Sequence, residues 1–181
     1  MVRKYAIVLM KRNGGSGDAE VSAFARDAAG VWLRARFDWI AEGRGLIIDY
    51  KTTENAAAEP FARRAAQMGY DVQAAFYLRV LEALDPELAG RARFVLVAQE
   101  IRAPYALAAY ELSEADMSVA RRKVETAVAA WWRCLSQDSW PAYPPTIDRI
   151  TLPHWSQARW LERELEGTES DPAWQLAGAG E

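Results

Sequence analysis

The sequence predicts an α/β (α+β) fold in which a central mixed β-sheet is flanked by helices, in the order β-β-β-α-β-β-α. Three observations predict it. Runs of strand-forming residues between Glu20 and Lys51 are joined by tight turns. Apolar residues then recur at helical spacing from Phe61 to Leu84. Two further strand-like runs lead into a capped helix that ends near Leu135. The 181 residues suffice for one domain with a core and would be cramped as two.

Each element has its own local reason. Residues 1–17 form a separate N-terminal segment in this reading. In it Tyr5–Met10 reads as a strand or an irregular start, and Asn13-Gly14-Gly15-Ser16-Gly17 as a flexible break. The core domain is expected over 18–145. Glu20 to Arg26 alternates loosely, as a strand does, and Asp27-Ala28-Ala29-Gly30 is a turn. Val31 to Ile40 is rich in strand formers, including Trp32, Phe37 and Trp39. Glu42-Gly43-Arg44-Gly45 is a tight turn before the strand Leu46 to Lys51. Pro60 suits a first helical turn, and the helix from Phe61 to Leu84 is expected to bend near Gly69 and to end at Asp85-Pro86. Arg93 to Val97 reads as a buried strand and Tyr105 to Leu112 as another. Ser113 opens the next helix with a capping-box-like pattern. The segment 146–181 is expected to hold a short helix around Trp155 to Glu166, with a disordered tail from Gly167.

Composition narrows the function classes. The single cysteine, Cys134, excludes an intrachain disulfide and a cysteine-based zinc site. It reads as a small buried hydrophobe in a reducing, cytoplasmic compartment. No apolar run approaches the roughly 20 residues of a membrane span. The net charge of -3 gives no global basic signature, which weighs against a simple nucleic-acid binder. The objection is weaker where a cation meets the phosphate, because the site that holds it must be acidic.

The central constellation is Asp38 followed by Asp49-Tyr50-Lys51. Residues two apart on a strand share a face, so Asp49 and Lys51 point the same way. Carboxylates on neighbouring strands can reach one cation, and magnesium takes oxygen ligands while keeping several waters. A lysine beside them can hold a water and offset charge on a phosphate. An Asp-x-Lys tripeptide is common as solvated charge. Here Asp49 follows the apolar run Leu46-Ile47-Ile48, where an unpaired carboxylate is costly. Gln73 and Tyr77 share a helix face, and Tyr70 joins them three residues earlier. This is either a core helix with polar edges or a set of donors for the lysine, a metal-bound water or a phosphate. Ala74 and Ala75 are small enough to let the helix lie close to the sheet.

Asp38, Asp49-x-Lys51 and Tyr70-x-x-Gln73-x-x-x-Tyr77 together resemble the PD-(D/E)XK nuclease superfamily. The nearest likeness is its RecE-type exodeoxyribonuclease VIII branch, related to lambda-type exonucleases and RecB-like nuclease domains. Arg36-Phe37-Asp38-Trp39-Ile40, Ile48 to Thr53, Phe94 to Val97 before Pro104-Tyr105, and Trp140-Pro141-x-Tyr143 look like that branch too. The resemblance spans roughly Glu20 to Tyr143. It implies a restriction-endonuclease-like core and a metal-dependent deoxyribonuclease, an exonuclease on double-stranded DNA ends in phage-type recombination or repair. Asp38, Asp49 and the Tyr50 backbone carbonyl would bind Mg2+ or Mn2+. Lys51 would position the water, and Gln73 and Tyr77 would support the lysine and the phosphate. The branch's upstream helix, with its histidine ligand, is expected to be missing, since His154 is the only histidine and lies far downstream. Glu20 is then either a substitute ligand or a solvated strand-edge charge. The alternative function is a truncated, weak or inactive DNA-binding or assembly subunit, with a homo-oligomer or a recombination protein as partner.

Other residues carry paired readings. Arg63 and Arg64 could touch DNA phosphates, as could Tyr70, though a solvated helix face is the commoner fate of such arginines. Glu54 and Glu59 suit a helix dipole. Glu100 reads as a structural salt bridge, and Arg121-Arg122-Lys123 as mostly a solvated face. The eight tryptophans, among them Trp131, Trp132, Trp140, Trp155 and Trp160, read first as core and then as an oligomer interface.

Overall fold

The computed structural model describes residues 16–41, 43 and 45–170. The strand or irregular start expected at Tyr5–Met10 and the tail after Ser170 lie outside them, as do Glu42 and Arg44 of the second turn. The described chain forms two units, one ending at Trp140 and the other beginning at Pro141.

The first unit is a five-stranded sheet in sequence order. Its strands are β1 (Gly17–Arg26), β2 (Trp32–Ala41), β3 (Leu46–Thr53), β4 (Arg93–Glu100) and β5 (Leu107–Tyr110). Its helices are α1 (Ala58–Met68), α2 (Tyr70–Leu84) and α3 (Glu114–Gln137). All strand pairs are antiparallel except β3 with β4. That parallel pair runs in continuous register from Leu46↔Arg93 to Thr53↔Glu100. Parallel strands need a crossover, and α1 and α2 provide it. The α+β order expected from the sequence is thus the one observed.

The β1–β2 hairpin alternates strictly. Ala23, Ala25, Leu33, Ala35 and Phe37 are buried, and the residues between them are exposed. Its turn closes because Gly30 takes a φ of 82°, which costs a glycine little. The Asp27 carboxylate accepts the Ala29 N–H at 2.5 Å across the same turn. Phe37, Ile47, Leu96 and Val80 are the largest fully buried side chains. Each contributes roughly 1.5–3 kcal/mol through burial. Ala74 and Ala75 are 1% and 3% exposed, so small side chains do line the approach of α2 to the core.

Several expectations change. The bend near Gly69 is a full break: Gly69 adopts φ 68°, ends α1 and starts α2. A left-handed residue cannot continue an α-helix. β3 continues past Lys51 to Thr53, so Asp49 sits mid-strand rather than near its end. Ser113 does cap α3, accepting the Asp116 N–H at 3.2 Å. Glu100 makes no salt bridge among the described residues; its carboxylate accepts the Ala56 N–H at 3.0 Å, just before α1. Cys134 is only partly buried. Trp131 and Trp132 are 53% and 46% exposed, so they are not core. Helical spacing gave them a stripe, but α3 packs against α2 with Met117, Ala120, Val124 and Val128 buried, and the two tryptophans lie beyond those positions.

The second unit carries α4 (His154–Ser170). It is longer than the short helix expected, and its residues 167–170 are helical where a disordered tail was expected. Trp155 and Trp160 are exposed on it. No helix among the described residues is long and apolar enough to cross a membrane.

Candidate metal-dependent active site

The site lies where β2, β3 and α2 meet. Asp49 is fourth of the eight residues of β3 and is 2% exposed. It shares its strand face with Ile47, which is fully buried. Burial in such surroundings favours the uncharged form of a carboxyl. Burial, reinforced by the charge of nearby Asp38, pushes the Asp49 carboxyl up, and Lys51 and Gln73 only partly offset this.

Three side chains close a ring. Lys51 Nζ stands 2.5 Å from Asp49 Oδ2. Gln73 Nε2 donates to Asp49 Oδ1 at 2.7 Å. Lys51 Nζ donates to Gln73 Oε1 at 2.9 Å. Gln73 can play both parts because an amide carries both a donor and an acceptor. Lys51 also lies 4.6 Å from the centroid of the Tyr70 ring, a cation–π distance. The lysine is therefore held from three sides. Despite the close lysine, Asp49 Oδ2 is a buried oxygen with no hydrogen bond of acceptable geometry. The ion pair supplies proximity, not a directed bond.

Asp38 enters from β2. Its Oδ2 accepts the Tyr50 N–H at 2.9 Å, which locks it beside β3. Among the described residues β2 and β3 pair at Trp39↔Ile48 and Ile40↔Ile47, and this side-chain bond ties the strands next to those pairs. The Tyr50 ring points to the other face of β3. Its hydroxyl donates to Gln99 Oε1 at 2.5 Å, and Gln99 is itself buried on β4. Gln99 is a site-supporting residue that sequence reading passed over. The signal was available: a glutamine directly after the apolar run Phe94 to Ala98, on the same strand, is costly to bury without a partner.

The other expected site residues divide. Tyr77 lies near the site, but its ring packs edge-on against Phe37 and Phe94, at 5.5 and 6.0 Å between centroids. Among the described residues its hydroxyl makes no hydrogen bond to Lys51. Tyr70 is buried beneath Lys51 and packs on Phe61, so its ring is not presented to DNA. Arg63 pairs with Glu59 along an exposed helix face at 2.5 Å. Arg64 is half-buried and its Nε has no partner. Glu20, in a left-handed conformation with φ 60°, forms an ion pair with Arg36 at 2.7 Å. Among the described residues no three His, Cys, Asp or Glu side chains gather as a metal cluster, so Glu20 does not join the two aspartates.

The donor set fits a hard divalent cation. Asp49 contributes a buried carboxylate whose Oδ2 faces the Lys51 ammonium without a directed hydrogen bond, Asp38 a second carboxylate close enough to repel it, and Tyr50 a carbonyl directly after Asp49 in sequence. Two converging carboxylates are stabilised by a shared cation, and magnesium needs only one or two of them.

No curated protein matches the sequence. Among solved structures, the chain is similar to a candidate exonuclease from Eubacterium rectale, with 15% identity and a TM-score of 0.60. That likeness covers 82% of this chain and 62% of the other, so this chain spans under two thirds of that protein. An alkaline exonuclease from Laribacter hongkongensis is similar over 74% of this chain and 70% of its own, at 14% identity and a TM-score of 0.37. The first likeness shows a shared fold. Residues 7–153 match the family described as a PDDEXK-like domain of unknown function (DUF3799), and the chain belongs to that family.

Proposed function

We propose that this chain is a metal-dependent deoxyribonuclease that hydrolyses DNA phosphodiester bonds as an exonuclease on duplex ends, akin to the RecE-type branch. The observation that carries it is the ring of Asp49, Lys51 and Gln73 beside Asp38, with one buried Asp49 oxygen lacking a directed partner. Asp38, Asp49 and the Tyr50 carbonyl would hold Mg2+ or Mn2+, which when bound supplies Lewis-acid chemistry at the phosphate. Lys51 orients a water and stabilises charge on the phosphate oxygens. Gln73 fixes the lysine's direction, and Tyr70 supports it from below. The name of one structurally similar protein, a candidate exonuclease, supports the exonuclease reading.

Purified protein with magnesium should degrade linear duplex DNA. Lys51→Ala should lower the rate by about 10²–10³-fold, the size of losing one transition-state contact. A fully active Lys51→Ala variant would sink the assignment. The Glu20–Arg36 ion pair favours a second reading, a nuclease fold that binds DNA but holds metal weakly because its substitute ligand is engaged elsewhere. Calorimetry separates the two: absence of magnesium or manganese binding at millimolar concentration supports the second.

A further inference from the structure

The solvent face of the β1–β2 hairpin has an unusual make-up. Beyond Asp18, Ala19 and Glu20 at its open end, where Glu20 pairs with Arg36, its exposed positions are six: Ser22, Phe24 and Arg26 on β1 and Trp32, Arg34 and Arg36 on β2. Three of six are arginines in a chain of net charge -3, and two are large aromatics. Trp32 is 64% exposed and Phe24 56%. The register sets Arg26 opposite Trp32, Phe24 opposite Arg34, and Ser22 opposite Arg36. The Arg26 guanidinium lies 4.9 Å from the Trp32 ring centroid, and that of Arg34 lies 5.7 Å from the Phe24 ring. Aromatic and cation therefore alternate in crossed pairs along the hairpin. Among the described residues, Arg26 and Arg34 make no hydrogen bond or ion pair.

Stabilising a hairpin explains a cross-strand pair, but it does not call for two unpaired guanidiniums beside two exposed rings. The stripe also has a direction. Arg36 is two residues from Asp38 on the same strand, about 7 Å, and Trp32 is six residues away, about 20 Å. Base faces in a duplex are stacked on one another, so exposed rings suit unstacked bases. Pre-oriented guanidiniums suit the phosphates between them.

We propose that this face is a single-stranded DNA track leading to Asp38: Trp32 and Phe24 stack bases, and Arg26 and Arg34 take phosphates. The proposal rests on the nuclease reading, in which removal of one strand leaves its complement single-stranded beside the site.

The test is fluorescence anisotropy with a labelled oligo-dT and, separately, a duplex of equal length, in EDTA so that nothing is cut. Phe24→Ala with Trp32→Ala should weaken oligo-dT binding about tenfold or more, with duplex affinity within about twofold. Trp32→Tyr should keep near wild-type binding, since it retains a stacking ring. Arg26→Ala with Arg34→Ala should flatten the log-affinity against log-salt slope by about 1.4, at about 0.7 per single-strand phosphate contact. Far-UV circular dichroism checks folding, and the conservative tyrosine and the salt slope decide the matter if the double alanine variant misfolds. Oligo-dT affinity that is absent in the wild type, unchanged in the folded variants, or lost equally with duplex affinity overturns the track. A wild type that binds oligo-dT through this face yet cuts nothing with magnesium sinks the nuclease reading alone. A wild type that cuts DNA while the hairpin variants bind oligo-dT normally sinks the track alone.

Discussion

Asp27 and Asp49 are both buried aspartates, 8% and 2% exposed, and each has a cation beside it. Their carboxyls are nevertheless shifted in opposite directions. Burial pushes Asp27 up, but the Arg79 hydrogen bond, the N–H groups of Ala29 and Val31 and the arginine's charge together outweigh it and hold it below its ordinary value. Burial also pushes Asp49 up, and there it is deep enough that the lysine and the glutamine do not outweigh it, while Asp38 adds like charge. Asp27 closes a turn and ties it to α2 through Arg79, with its oxygens satisfied. Asp49 has one oxygen held by an ion pair without a directed hydrogen bond and a second carboxylate close by. One site is finished as protein alone. The other, in the proposed reading, would be completed by a bound cation.

The comparison can be broken first at Gln73, which has no counterpart at Asp27. Gln73→Ala removes a donor to Asp49 and an acceptor for Lys51. Nuclease rate should fall about 10–100-fold, the usual cost of losing a residue that orients a metal ligand. On the same assay Tyr70→Leu should cost about two- to fivefold and Tyr70→Phe nothing, because the cation–π contact needs the ring and not the hydroxyl. Equal losses in both tyrosine variants would contradict that role.

The next test uses stability against pH. Asp27 is held below its ordinary value, so its contribution is present at neutral pH and is lost as pH falls through the folded value. Asp27→Ala should cost about 1–3 kcal/mol at neutral pH, toward the lower end because Arg79 is 34% exposed. That lowers the melting temperature by about 2–4 °C per kcal/mol, and the deficit should shrink in acid. Asp49 is raised, so the fold favours its protonated form. Its contribution is present below the ordinary carboxylate value and is lost as pH rises through the folded value. Asp49→Asn should therefore remove a pH-dependent loss of stability. Thermal melts of the metal-free protein across the acid range check both signs. Two aspartates titrating in the same direction would end the distinction.

Much of the fold was legible because its signals are local. Strand alternation, the Asp27–Gly30 turn, the Ser113 cap and the apolar spacing of the helices need no knowledge of distant contacts. The Asp49–Lys51 pair was legible for the same reason, since strand period alone puts them on one face. Gln73 could be placed near them only through the resemblance. The break at Gly69 was half-visible: a glycine inside a helical pattern signals weakness, but only the left-handed φ decides between bend and end. Arg79 with Asp27, Lys123 with Asp71 and Tyr50 with Gln99 join residues about 50 positions apart, and nothing local announces them. The tryptophans misled because hydrophobic spacing reports a stripe and not what covers it.

The central claim is that Asp49 and Asp38 share a cation. A crystal soaked in manganese tests it most directly, through anomalous scattering. The account predicts a peak in contact with both carboxylates and the Tyr50 carbonyl, lost in Asp49→Asn. A protein that cuts DNA with manganese while the peak lies elsewhere, or a peak that persists in Asp49→Asn, would contradict it.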